Sequence, residues 1–283
     1  MLDGWTARPA PAGRANPLHA TVYRHDSAPA VVLLHGQPGT GLDWQWVVPV
    51  LRPHLTVVVP DRPGYGATGG PATGFAGNAA AVVELLDRLG CDRAVLVGHS
   101  WAGGAVLATA VHHPARVAGL VLVSSVGPGE QMSWEDRLLA VPLVGEMIAG
   151  TAIGGAGLLL GSRRVQELAR RRLPGRARDG VVALTHLTRN PAQVSRSFVA
   201  EQRAMLAELD GLGPGLSGIT APTVIVHGSA DHIVPAEVAE QLQRSIPGSV
   251  RRVIAGAGHL LPHDRPDAVA AAVRDVAGGP AAG

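Results

Sequence analysis

No lysine occurs anywhere in the 283 residues. All 24 basic side chains are arginines, set against 22 acidic ones, for a formal net charge of +2. The isoelectric point of about 9.3 therefore reflects arginine's very high pKa rather than a large excess of charge. Aromatic residues are scarce, with two Tyr, two Phe and five Trp. With neither a large basic excess nor much aromatic material for stacking, the chain has no nucleic-acid footprint. Cysteine occurs once, as Cys91, which excludes an intrachain disulfide and any multi-cysteine zinc site. The start, "MLDGWTARPAPAGR", has no basic stretch leading into an apolar one, so no secretory signal is read and a cytoplasmic location is expected. Charged residues make up only 16% and hydrophobic ones 46%, which excludes a disordered or fibrous chain.

What is present is a series of short aliphatic runs, each closed by a turn. "AVVLLHG" (Ala30–Gly36), "LTVVVPDRPGYG" (Leu55–Gly66), "AVLVG", "GLVLVSS", "PTVIVHG" (Pro222–Gly228) and "SVRRVIAG" (Ser249–Gly256) read as buried strands, with a further strand near Ala20–Arg24. Helices are expected from Asp43 to Leu51 with Asp43 as N-cap, from Asn78 to Leu89 ending at Gly90, from Trp101 to His112, and from Arg265 to Ala277. Strands alternating with helices imply right-handed crossovers and a mostly parallel α/β sheet covered on both faces. The pattern stops after Val126 and resumes near Gly218. The expected organisation is a core of residues 1–126 and 219–283 with a helical insertion, 127–218, between them.

Active sites of open parallel sheets gather at the carboxyl ends of the strands. Standing just past those ends are His35-Gly36-Gln37-Pro38-Gly39, Asp61-Arg62, Ser100, Asp231 and His259. A serine, an acid and a histidine thus follow successive strands in the order used by hydrolases of the strand–turn–helix type. A serine hydroxyl is a poor nucleophile until a base accepts its proton, which His259 would do, with Asp231 fixing its tautomer. The developing oxyanion would be met by the backbone N–H groups of Trp101 and Gln37. No metal or cofactor is called for.

"HGQPG", "DRPGYG", "GHSWAG", "GSADHIVP" and "GAGHLLPHDRP" together resemble the motifs of the α/β-hydrolase superfamily, in its esterase, haloperoxidase and proline iminopeptidase-like branch. The resemblance covers the chain outside residues 127–218. It implies the α/β-hydrolase fold, with Ser100 as nucleophile, Asp231 as acid, His259 as base, and Gln37 and Trp101 as oxyanion donors. The elbow departs from the usual G-x-S-x-G at its fifth position, where Ala102 precedes Gly103 and Gly104. Epoxide hydrolases and dehalogenases of this fold use an aspartate where Ser100 stands, which argues against those activities here.

Other residues near the site admit plainer roles. His35, His99 and Trp44 are pocket candidates, the histidines also serving as orienting or packing groups and Trp44 as core. Asp61 and Arg62 read as a buried pair that stabilises a turn. His259 and His263 have i,i+4 spacing, but Pro262 between them argues against a regular helix and hence against a metal pair. Residues 138–161 carry one charge, Glu146, yet Pro142 and six glycines make them a poor membrane span. They read instead as a lid whose apolar face covers the site and favours apolar substrate groups. The arginine cluster Arg163–Arg178 that follows reads as a solvated helix face. The expected activity is cleavage of a carboxylic ester, lactone or thioester of an apolar small molecule through an acyl-enzyme. Perhydrolysis, carbon–carbon bond hydrolysis, an iminopeptidase, and a ligand-binding or non-hydrolytic pathway protein on the same scaffold stand as alternatives. No nucleic-acid partner and no stable membrane insertion are expected, and oligomeric state is open.

Overall fold

The computed structural model describes residues 17–25, 29–129, 134–162, 164–165, 167–168, 188 and 190–278. Seven strands form one sheet: β1 (Ala20–Tyr23), β2 (Ala30–Leu34), β3 (Thr56–Pro60), β4 (Ala94–His99), β5 (Val117–Val123), β6 (Thr223–Gly228) and β7 (Val250–Ile254), in the order β1-β3-β2-β4-β5-β6-β7. Only β1 runs antiparallel, paired with β3; every other neighbour is parallel. Successive side chains of a strand point to opposite faces. Along β4, Leu96 joins one apolar layer with Leu34, Phe75, Leu107, Leu122 and Ile225, while Val95 and Val97 join the other with Leu33, Trp44, Val121, Val226 and Val273. Both faces of the inner strands are covered, which is why β2 to β6 are mostly aliphatic along their length, whereas the edge strands β1 and β7 are part-exposed.

The first layer is covered by α2 (Phe75–Leu89), α3 (Ala102–His112) and α7 (Ala236–Ser245). Helix α2 ends where expected: Gly90 takes a left-handed φ of 68° and its N–H bonds back to Leu86 and Asp87. The other face carries α1 (Val48–Leu51) and α9 (Pro266–Ala277). One expectation is corrected here. Residues 43–51 are not a single helix capped by Asp43. A 3-10 turn, Gly41–Trp44, is capped by Thr40, whose hydroxyl accepts the Leu42 N–H, and α1 starts afresh at Val48. Pro49 has no N–H with which to continue a ladder from the preceding turn.

Between β5 and β6 the described residues contain helices and no strand: α4 (Trp134–Leu139), α5 (Val144–Gly161), α6 (Pro191–Glu208) and a 3-10 stretch, Asp210–Gly218. The arginine cluster lies almost wholly outside the described residues, as do residues 1–16. Two further helices follow β6 and β7. Helix α7 (Ala236–Ser245) buries Val238, Ala239 and Leu242. The short α8 (Leu261–Asp264) accommodates Pro262 because the proline falls in the first turn, where no N–H is needed. No helix among the described residues is long and apolar enough to cross a membrane.

The expected lid is arranged differently from the reading above. Helix α5 packs on α6, letting Gly145 approach Val199 and Gly150 approach Ser195, while Gly145 also meets Leu139 of α4 and Gly157 meets Thr188. Its opposite side leaves Val144, Met147, Ile148, Leu158 and Leu159 exposed. A helix apolar all round can bury only the stripe it turns to its neighbour. That neighbour is α6, and it is α6 that reaches the loops at the strand ends.

Candidate active site

Strand β4 is central, and the chain leaves it through Ser100, whose φ of 55° lies in the left-handed region. A side chain held there costs about 1–3 kcal/mol and persists only where its surroundings enforce it. They do so sterically. A Cβ on Gly98 would sit 2.6 Å from the Ala102 carbonyl oxygen, and one on Gly103 only 1.7 Å from Ser125 Oγ. Ala102 is fully buried and its methyl group is accommodated, so the alanine at the elbow's fifth position leaves the turn closed. The Ser100 N–H donates to Val123 O (2.9 Å) and its carbonyl accepts from Gly103 N–H (2.9 Å), which locks the turn between β4, β5 and α3.

Ser100, His259 and Asp231 lie in one hydrogen-bonded line. Ser100 Oγ is 3.0 Å from His259 Nε2, and His259 Nδ1 is 2.9 Å from Asp231 Oδ2 and 3.2 Å from Oδ1. The Asp231 carboxylate is buried and also accepts the N–H groups of Ile233 (2.9 Å) and Val234 (3.0 Å). Burial acts to raise its pKa, but the bonds from His259 and from these two amides win and bring it down to about 2. A carboxylate can only accept, so His259 Nδ1 carries the proton and Nε2 is left free to take the hydroxyl proton of Ser100. Both ring nitrogens of His259 are thereby engaged within the triad. Among the described residues no group of three or more His, Cys, Asp or Glu side chains could hold a metal ion.

The loop after β2 is held by a buried polar network. Arg62 Nε donates to His35 O (2.8 Å) and Nη2 to Gly36 O (2.8 Å), while its guanidinium pairs with Glu201 of α6. Tyr65 Oη donates to Glu201 Oε2 (2.7 Å), and Arg62 lies 4.5 Å from the centre of the Trp101 ring system. Gln37 Nε2 donates to Phe198 O (2.7 Å) and Trp101 Nε1 to Glu201 O (3.1 Å), so α6 is bonded to both side chains. Neither the Gln37 nor the Trp101 backbone N–H donates to a backbone carbonyl among the described residues.

The alpha/beta hydrolase family model matches residues 31–272. The chain belongs to the alpha/beta hydrolase family. It is 31% identical over 241 residues to the 2-hydroxy-6-oxo-2,4-heptadienoate hydrolase of Pseudomonas putida, covering 82% of each chain. It is 28% identical over 259 residues to haloalkane dehalogenase 2 of Mycobacterium tuberculosis, covering 87% of each. Among solved structures it is similar to a thermophilic esterase from Thermogutta terrifontis, with 25% identity, a TM-score of 0.71, and coverage of 91% of this chain and 92% of that one. These relatives are hydrolases acting on different bonds, and the chain is a hydrolase of the same family.

Within this alpha/beta hydrolase, three pocket candidates are corrected. Trp44 is fully buried in the apolar layer shared with α9. His35 is also fully buried: its Nε2 accepts the Arg62 N–H (2.9 Å) and its Nδ1 bonds to Gly36 O (2.9 Å), tying two loops together. Burial, then the Arg62 charge, holds its pKa well below the ordinary histidine range, so it stays neutral. His99 is buried as well and donates from Nε2 to His259 O (3.0 Å). Burial and the neighbouring His259 bring its pKa down to about 3. The pairing of Asp61 with Arg62 is not formed. Asp61 instead accepts the N–H groups of Gly41 and Ala67 (both 2.8 Å), and Arg62 finds Glu201. Glu201 escaped the sequence reading because it lies 139 residues from Arg62 in a segment without motifs. Its one signal is an acidic residue among the residues α6 turns inward, Val194, Val199, Gln202 and Met205.

Proposed function

We propose that this protein is a serine hydrolase cleaving a carboxylic ester, lactone or thioester of an apolar small molecule through an acyl-enzyme. The observation that carries the reading is the Ser100–His259–Asp231 line with its serine on a strained, sterically closed elbow. His259 Nε2 takes the Ser100 proton as Oγ attacks the acyl carbon. The carbonyl electron pair moves to oxygen, where the Gln37 and Trp101 N–H groups stabilise it. The electron pair returns, the bond to the leaving group breaks, and His259 gives its proton to the departing oxygen or sulfur. Water, deprotonated by His259, then attacks the acyl carbon, and its second tetrahedral intermediate releases Ser100 and the acid. Asp231 keeps the imidazolium ion in register throughout.

A carbon–carbon bond hydrolase is the second reading, supported by the 31% identity to the Pseudomonas putida 2-hydroxy-6-oxo-2,4-heptadienoate hydrolase. The test is labelling with a fluorophosphonate, location of the adduct by peptide mass spectrometry, and a Ser100→Ala control. Turnover is then measured on p-nitrophenyl esters of increasing acyl length, on lactones and on a vinylogous diketone acid. A stoichiometric adduct on Ser100 with ester or lactone turnover supports the proposal. Turnover confined to the diketone acid selects the second reading. Absence of an adduct on folded protein overturns both in favour of binding or non-hydrolytic chemistry.

A further inference from the structure

Bonds from the buried Arg62–Glu201 network and from helix α6 reach Gly36, Gln37 and Trp101, the residues that bear or adjoin the proposed oxyanion donors. A trans peptide is planar, with the carbonyl of one residue antiparallel to the N–H of the next. Fixing Gly36 O therefore fixes where the Gln37 N–H points. Gly36 O is held on one side by Arg62 Nη2 (2.8 Å) and His35 Nδ1 (2.9 Å), and His35 O by Arg62 Nε (2.8 Å). Arg62 is itself oriented by the Glu201 carboxylate, which also takes the Tyr65 hydroxyl. From the same helix, one turn apart, Phe198 O holds the Gln37 side chain and Glu201 O holds the Trp101 indole. A buried ion pair is weak evidence for stability, since apolar residues of like volume often serve as well. An ion pair whose further bonds run to His35, Gly36 and Tyr65 fits a role in orientation.

We propose that Glu201 and Arg62 are positioning residues for oxyanion stabilisation, locking the Gly36–Gln37 peptide plane and the Trp101 side chain to helix α6, so that seating of α6 and assembly of the oxyanion donors are one event. The inference rests on the acyl-enzyme reading. A buried pair of charges thereby acts on the reacting carbonyl through backbone geometry, without touching substrate.

The experiment compares full-length wild type with Glu201→Gln, Gln37→Met and Val276→Ala, the last a core change on the opposite face of the sheet. Each is measured for Tm, for kcat and KM on an activated ester, and for the second-order rate of fluorophosphonate reaction at Ser100. Glu201→Gln is expected to lower kcat and the phosphonylation rate by roughly 10- to 100-fold with KM within about threefold, less than the ~10²–10³ that outright removal of an oxyanion donor costs. Val276→Ala is expected to lower Tm while leaving both rates at the wild-type level. Should Glu201→Gln not fold, Gln37→Met carries the test, because it removes only the bond from a partly exposed side chain to Phe198 O. A fall of kcat and phosphonylation together in Gln37→Met supports the proposal. Wild-type rates in either folded variant overturn it while leaving the hydrolase reading intact. Absence of wild-type labelling removes both.

Discussion

Ser100, His259 and Asp231 were each legible as residues standing just past an aliphatic run, and the structure brings them within hydrogen-bonding distance. What holds the serine in place was legible only in part, because the glycines at 98 and 103 reveal their necessity only through what a Cβ would strike. Gly103→Ala, forced against Ser125, should destabilise the fold by about 1–3 kcal/mol. Urea denaturation measures this, and an unchanged midpoint would show that Ser125 moves aside freely. His99 sets a pH dependence. Its pKa falls from the ordinary 6.5 to about 3 on folding, so between these values the unfolded chain binds the extra proton. The stability it contributes is complete above pH 6.5 and is lost as pH falls towards 3. His99→Gln keeps a donor for His259 O and should flatten the acid limb by up to ~1.4 kcal/mol per pH unit, one proton's worth. Stability curves from pH 3 to 8 that superimpose for both proteins would refute it. Asp43 runs the other way. Burial raises its carboxyl to about 7, so its contribution is lost as pH rises through that value.

At the level of elements, apolar periodicity placed the strands and the helices α2, α3 and α9 close to where they form. It could not say which side of α5 would be covered, because every side of that helix is apolar. Contact surfaces between elements were equally invisible. Gly119 on β5 lies where a Cβ would stand 2.1 Å from Val276 Cγ1 of α9, so helix and sheet meet at a site with room for hydrogen alone. Gly119→Ala should cost about 1–3 kcal/mol by overpacking, and pairing it with Val276→Ala should restore part of that loss. A double-mutant cycle by chemical denaturation checks the pair, and strictly additive effects would mean that the two do not press on one another. The capping of Gly41–Trp44 by Thr40, in place of a helix from Asp43 to Leu51 capped by Asp43, has a similar origin. Both residues are good caps, and the choice between them depended on where Pro49 and the β2 loop left the backbone.

Over the whole molecule, α6 is joined to the sheet's loops through Arg62, Glu201, Tyr65, Gln37 and Trp101. Glu201→Ala strands a buried guanidinium and should cost ~3–5 kcal/mol, whereas Arg62→Met with Glu201→Leu should recover most of it. Guanidinium chloride unfolding measures both, and a double variant no more stable than the single would show that the network's hydrogen bonds carry the stability. The sequence by itself determined the alternation of strands and helices, the break in that alternation after Val126, and the chemical order of serine, acid and base at strand ends. Those features are local, written in hydrophobic period, in turn residues and in the identity of a residue next to a turn. The tertiary structure alone decided that Arg62 bonds to Glu201 rather than Asp61, that His35 and Trp44 are interior, and that α6 bonds to the loop after β2. Each of these depends on which buried polar or apolar group finds its partner across a long separation in the chain, and no local pattern encodes that choice.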